Sequence, residues 1–151
     1  MGTSVESVHD LAGLVGQHLG HSSWIEITQD RVNQFADATD DHQWIHVDPD
    51  RAAGGPFGGP IAHGYLTLSL LVPMWSEILS VRNSSMAINY GVNRVRFPAP
   101  VPVGSRIRLS ATLASFEEVA GGVQIVVESV IERDGGDKPV CVAQPVYRIY
   151  V

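Results

Sequence analysis

The hydrophobic period of this chain changes once, near residue 85, and that change constrains its fold more than any other feature. Before it, the run from His63 to about Leu79 is apolar almost all round. Tyr65, Leu66, Leu68, Leu70, Leu71, Val72, Met74, Trp75, Ile78 and Leu79 leave no polar stripe, which is the pattern of a helix buried on most sides. Pro73 falls inside the run and should kink or split it. After residue 85 the period is 2. Ile107, Leu109, Ala111 and Leu113 alternate with Arg106, Arg108, Ser110 and Thr112; Val123, Ile125 and Val127 alternate with Gln124, Val126 and Glu128; and 140–151 is again rich in Val, Tyr and Ile. Turn signals at Pro98 to Gly104, Gly121-Gly122 and Asp134-Gly135-Gly136-Asp137 separate these stretches into an antiparallel meander of about four long strands. One more strand is expected around Trp24 to Ile27. A sheet of five strands needs its apolar face covered, and the run at 63–79 is the only all-round apolar helix available. The expected architecture is α+β, a curved antiparallel sheet of about five strands wrapped around one central apolar helix.

Two shorter helices are expected ahead of it. Thr28 is a suitable N-cap, Asp30 favours the positive end of a helix, and Val32, Phe35 and Ala36 recur at i, i+3, i+4, which predicts a helix near 29–38. Asp48-Pro49, an N-cap followed by proline at the first helical position, opens a second one to about Ala53. The run Gly54-Gly55-Pro56-Phe57-Gly58-Gly59-Pro60 then forces a loop. No repeat or linker divides the sequence, so residues 1–151 read as a single domain.

With 44% apolar and 17% charged residues the chain is not disordered. A formal net charge of −6 argues against a nucleic-acid partner. The charge is nevertheless segregated: residues 1–77 carry net −8, residues 78–116 have no acid and five Arg, and residues 117–151 carry net −3. The acid-free segment offers a place for the phosphates of a nucleotide-bearing ligand. Glu6 and Asp10 fall where a secretory signal would be hydrophobic, so export is not expected. The longest stretch without acid or base, Ala52 to Ser76, is broken by five Gly, three Pro and His63, too short an apolar core for a bilayer. The one cysteine, Cys141, cannot make an internal disulfide and reads as a buried inert thiol. A reducing cytoplasm is the expected compartment.

All six histidines lie in the first 63 residues. His42, His46 and His63 fall in or beside the loops flanking the predicted helices, together with Asp40, Asp41 and Asp48. A carboxylate and an imidazole five residues apart, on a loop rather than a helix, can converge on one water, activate it and shuttle its proton. Each histidine can equally be a solvated surface residue, and Asp40 can simply cap the preceding helix. A metal reading of His42 and His46, four residues apart, is disfavoured because Gln43-Trp44-Ile45 adds no ligand. Pro60-Ile61-Ala62-His63-Gly64-Tyr65-Leu66 leads from a glycine-rich loop into the buried helix, where unpaired N–H groups suit an oxyanion or a polarised carbonyl. Gly64 would admit a substrate close to the backbone, or merely permit tight packing of the helix start. Arg94 and Arg96 share one strand face, as do Arg106 and Arg108, and two antiparallel strands could bring the pairs together, for phosphate or for structural pairing with carboxylates.

At these residues the sequence resembles the MaoC-like dehydratases, the (R)-specific enoyl-CoA hydratases of hot-dog fold. Phe35 through His46 matches the family's hydratase motif in frame: Asp41 falls on the catalytic aspartate, His46 on the catalytic histidine, and Ile45 on the aliphatic residue before it. Ala62-His63-Gly64 looks like the second signature, whose glycine amide helps form the oxyanion hole, and Arg96 to Gly104 resembles the segment after the hydratase strand. The likeness runs from about residue 20 to the end. Two departures stand out: Asp40 replaces the glycine before the aspartate, and Gln43-Trp44 replaces Asn-Pro, as in a subgroup of short single-domain members. A second carboxylate beside Asp41 is expected to raise the pKa of one of the two or to alter the turn.

The resemblance implies hydration of a trans-2-enoyl thioester to the (R)-3-hydroxyacyl thioester, or the reverse. Asp41 and His46 would activate one water while Gly64 polarises the thioester carbonyl. Gln43, His63, Asn93, Arg94 and Arg96 are the implied contacts to substrate and coenzyme A. The substrate would be an acyl-CoA or acyl-carrier-protein thioester, no metal or redox cofactor is needed, and a homodimer is implied. Two rival readings share the fold: an acyl-CoA thioesterase, and a non-catalytic acyl-thioester-binding module.

Overall fold

In a computed structural model that describes residues 2–151, the period-2 half of the chain forms four long strands, β5 (Met86–Arg96), β6 (Arg106–Val119), β7 (Gly122–Arg133) and β8 (Cys141–Tyr150). Two short strands precede them on the far side of the same sheet, β2 (His18–His21) and β3 (Ile25–Glu26), both antiparallel to β6. The strand order is β2-β6-β7-β8-β5, with β3 also on β6. The expected count of about five becomes six. A separate parallel pair joins β1 (Thr3–Ser7) to β4 (Leu79–Asn83). Neither β1 nor β2 announces itself in the sequence, because these strands are only five and four residues long and mostly polar.

The alternation read along 107–113 is the pleat of β6, with Ile107, Leu109, Ala111 and Leu113 fully buried and the residues between them half-exposed. Val123, Ile125, Val127 and Ile131 do the same on β7. The buried face of the sheet packs on the apolar run, and Leu66, Leu71, Met74 and Ile78 share one core with Ile107, Leu109, Ile125 and Ile131. Each such aliphatic side chain stabilises the fold by about 1.5–3 kcal/mol when fully buried.

The central run is two helices, α4 (Gly64–Ser69) and α5 (Leu71–Ile78). The break falls at Leu70 rather than at Pro73, because a proline ring clashes with the carbonyl four residues earlier, here that of Ser69. The run is also not buried all round: Tyr65 and Val72 face outward. The two early helices lie close to their expected bounds, as α1 (Gln29–Thr39) and α3 (Pro49–Ala53). Between them a single turn, α2 (Trp44–Val47), replaces the expected loop, so that His46 is carried on a helix.

One expected pairing is overturned. Two strands, β7 and β8, separate β5 from β6, so Arg94 and Arg96 do not meet Arg106 and Arg108. Arg106 pairs instead with Asp134 and Arg108 with Glu132, across the β6–β7 ladder, and the two guanidinium groups lie over the ring of Trp24. The acid-free segment therefore draws two of its five arginines into structural ion pairs with the acidic C-terminal segment. No helix among the described residues is long and apolar enough to cross a membrane.

Candidate active site

Three short segments meet at one point. The first is the end of α1, whose start is capped by the Thr28 hydroxyl accepting the Arg31 N–H at 3.1 Å and whose buried face is Val32 and Ala36. It stops at Asp40, which adopts φ 58°, ψ 25° and is the only described non-glycine residue with positive φ. This left-handed step turns the chain out of the helix, and aspartate is one of the few side chains that tolerate it. Asp40, at the position where the resembled motif has glycine, thus holds a conformation that glycine adopts freely.

The second segment is α2. It presents His46, 7% exposed, whose Nδ1–H donates to the Ile61 carbonyl at 2.7 Å. That bond fixes the tautomer of the neutral ring and leaves Nε2 with a free lone pair. Gln29 on α1 donates from Nε2 to the His46 carbonyl at 2.8 Å, tying α1 to α2. The pKa of His46 is lowered, chiefly by burial; the bond to Ile61 opposes this, the neighbouring His63 lowers it further, and Asp41 raises it.

The third segment is Ile61-Ala62-His63-Gly64. It is fixed from both sides: the Ile61 N–H donates to the Ile45 carbonyl at 2.9 Å and the Ala62 N–H to the Val101 carbonyl at 2.8 Å. His63 is 2% exposed, and its Nε2–H donates to the backbone carbonyl of Asp41 at 2.9 Å. Its ring stacks on that of His46, centroids 3.8 Å apart and planes at 25°, and packs against Phe35 at 4.8 Å. Its Nδ1 is buried without a partner. Gly64 opens α4, in the first turn where helical geometry gives its N–H no intrahelical acceptor. A Cβ at Gly64 would stand 3.0 Å from ring carbons of Phe97, so any larger residue here must displace that ring.

Asp41, His46, His63, Gly64, Tyr65 and Phe97 line a pocket of about 310 Å³. A second, apolar pocket of about 380 Å³ shares Gly64 and Phe97 with it and is otherwise lined mainly by Phe57, Ile61, Ala62, Thr67, Val140 and the segment from Pro98 to Val101. A polar centre therefore adjoins an apolar recess. Donor atoms of Asp41, His46 and His63 lie within 4.8 Å of one another. The two imidazoles, however, lie face to face, so their in-plane lone pairs do not converge on one point about 2.0–2.1 Å from both, as a tetrahedral zinc ion would need.

The remaining expected site residues lie elsewhere. His42 faces away, bound to Asp37 at 2.9 Å, and Asp48 caps α3 by accepting the Arg51 N–H at 3.1 Å. Gln43 caps α2 through its backbone carbonyl, with an exposed side chain outside the pocket lining. Asn93, Arg94 and Arg96 are exposed on β5, and only Arg96 adjoins the pocket in sequence, through Phe97. Tyr65, Phe97, Phe35 and Gln29 were not singled out from sequence as site residues. Phe97 is legible only as the residue that follows the basic strand and Phe35 only as the aromatic residue that opens the resembled motif, while Tyr65 and Gln29 carry no motif of their own.

Residues 10–134 match the family described as MaoC like domain. The chain is 54% identical over 144 residues to 3-hydroxyacyl-thioester dehydratase Z of Mycobacterium tuberculosis, covering 95% of each. It is 47% identical over 140 residues to nodulation protein N of Rhizobium meliloti, covering 91% of this chain and 87% of that one. Among solved structures it resembles an (R)-hydratase from A. caviae involved in PHA biosynthesis, with a TM-score of 0.73, 25% identity, and 88% and 94% of the two chains covered.

Proposed function

The chain belongs to the MaoC-like domain family, and from that premise we propose that Asp41 and His46 are the catalytic pair of a 3-hydroxyacyl-thioester dehydratase acting reversibly as an enoyl-thioester hydratase. The enzyme is a hydro-lyase of fatty acid metabolism. The observation that carries the site assignment is the His46–Ile61 bond, which leaves a bare imidazole nitrogen in the pocket that Asp41 lines.

In the hydration direction one water is held between the Asp41 carboxylate and His46 Nε2, both of which accept its hydrogens. Its oxygen attacks C3 of the trans-2-enoyl thioester, and the proton it gives up is returned to C2, so that the elements of water add across the double bond. Negative charge developing on the thioester oxygen is met by the Gly64 N–H. Burial keeps His46 ready as an acceptor, because the lowered pKa leaves it neutral at neutral pH. No metal or redox group enters these steps. The acyl chain occupies the apolar recess beyond Phe97, and the exposed Asn93, Arg94 and Arg96 serve the phosphates of coenzyme A or of a carrier-protein arm.

We further propose a homodimer formed along β5. That strand is a sheet edge, and Met86, Ile88, Tyr90 and Val92 all stand exposed on it, an apolar row uncommon on a monomer. The unpaired, buried Cys141, whose thiol burial pushes up to about 11, suits the reducing cytoplasm we assign to the protein.

The test is the loss of enoyl-thioester absorbance with crotonyl-CoA and longer homologues. Turnover without release of free thiol is expected. A purified protein that leaves the absorbance unchanged at every chain length, or that releases coenzyme A, overturns the reading.

A further inference from the structure

We propose that His63 is a positioning residue that sets Asp41 and His46 in register with each other, an inference that rests on the hydratase reading above. The two catalytic candidates come from different pieces of chain. Asp41 is an exposed residue of the connection between α1 and α2, and His46 is a buried residue of α2. A single imidazole touches both. It donates from Nε2 to the Asp41 carbonyl at 2.9 Å, and its face lies on the His46 ring at 3.8 Å.

These contacts constrain what the other bonds leave free. The Nδ1–H bond to Ile61 restricts rotation of the His46 ring within its own plane, but it does not by itself hold the plane. Stacking against His63 does so, and the His63 ring is itself packed against Phe35 at 4.8 Å. Ile61 and His63 are two residues apart in one segment that is itself bonded to Ile45 and Val101. The same short segment therefore supplies the carbonyl that orients His46, the ring that holds its plane, the donor that holds Asp41, and the Gly64 amide. Displacement of reacting groups by about 1 Å can cost roughly 100-fold in rate, so a clamp of this kind acts on kcat rather than on affinity.

His63 also bears electrostatically on His46, lowering its pKa alongside the larger effect of burial. The other groups facing His46 are the Ile61 carbonyl and Asp41, which raise it, and the pocket-lining Tyr65 and Phe97, with Gln29 reaching its backbone from α1. Removing His63 therefore moves the His46 titration upward.

Two substitutions separate the contacts. His63→Phe keeps an aromatic face and loses the donor; His63→Gln keeps a donor amide and loses the stack. In protein whose melting temperature shows it to be folded, each should lower kcat for crotonyl-CoA about 10- to 100-fold with KM within about threefold, and shift the acid limb of kcat/KM to higher pH. The second variant keeps the test open should the first not fold. An NMR titration of the His46 ring in wild type and in His63→Gln reads the same coupling without any turnover and should show a higher midpoint in the variant. If both folded variants keep kcat within twofold and the His46 midpoint does not move, the proposal is overturned. If wild type hydrates no thioester while the midpoint moves as expected, the hydratase reading fails and the coupling stands.

Discussion

The Nδ1–H of His46 donates to the carbonyl of Ile61 at 2.7 Å, and this bond decides which nitrogen of the ring is offered to the pocket. Because a carbonyl only accepts, Nδ1 carries the proton and Nε2 is the acceptor. The bond crosses from α2 to the segment before α4, so the tautomer of the candidate base depends on tertiary structure and not on its own helix.

Burial lowers the His46 pKa from its ordinary 6.5, and the sign of two pH effects follows. Activity that needs neutral His46 should fall off in acid with a midpoint below 6.5, measured as the acid limb of kcat/KM. Stability should respond over the same window. The unfolded chain takes up a proton near pH 6.5 while the folded chain does not, so this contribution is complete above 6.5 and is lost as pH falls from 6.5 to the lowered folded value. Urea midpoints at pH 7.5 and pH 5.5 check it, with the lower midpoint expected at pH 5.5 and the difference reduced in His46→Gln.

Asp41 is exposed, and replacing its carboxylate by an amide removes an acceptor without opening a cavity. Asp41→Asn should lower kcat about 10²- to 10⁴-fold, and the melting temperature should stay within a degree or two of wild type. His46→Ala should show a similar kinetic loss. Steady-state rates with crotonyl-CoA, together with thermal melts, distinguish this outcome from general unfolding.

Period and turn chemistry made the four long strands legible, because Ile107 to Leu113 alternate strictly with polar residues and Val123, Ile125, Val127 and Ile131 recur at every second position, interrupted only at Ser129, where one face of the sheet is buried. The same rule is silent for β1 and β2, whose short polar segments gain their pairing from neighbours distant in sequence. The apolar run at 63–79 was legible as a buried helix. Its division at Leu70 follows from the reach of Pro73 to Ser69, but its open side at Tyr65 and Val72 does not follow from composition. The candidate site divides in the same way. Asp41 and His46 were readable because they are close in sequence and match a motif, whereas the stack of His63 on His46 joins residues 17 apart through a loop whose path no local pattern specifies. The separation of the arginine pairs of β5 and β6 is not legible, because shared strand faces say nothing about strand order.

Asp40 carries a conformational cost that glycine would not. Its φ of 58° is left-handed, a conformation that costs most side chains roughly 1–2 kcal/mol relative to the right-handed helix and asparagine or aspartate somewhat less. Asp40→Gly should therefore stabilise the protein by about 0.5–1 kcal/mol, equivalent to roughly 1–4 °C in melting temperature for a chain of this size. The turn into Asp41 is already the one glycine would make, so kcat should change less than twofold. A thermal melt and a rate measurement on the one variant test both statements.

Gly64 and Phe97 should behave as a coupled pair. An added methyl at Gly64 would meet two ring carbons of Phe97 at 3.0 Å and a third at 3.2 Å, closer than ordinary van der Waals contact, so the ring must move. Phe97 lines both the polar pocket and the apolar recess, so its displacement reshapes both. Gly64→Ala should cost about 1–3 kcal/mol of stability and lower kcat/KM for crotonyl-CoA about tenfold. Phe97→Ala removes every atom that the methyl would strike and enlarges the space beside Gly64, so on its own it should raise kcat/KM for longer enoyl chains relative to crotonyl-CoA. In the double variant the stability lost to Gly64→Ala should be largely restored, giving an interaction energy of about 1 kcal/mol or more in a double-mutant cycle. Independent, additive effects of the two substitutions would show that the ring does not constrain Gly64.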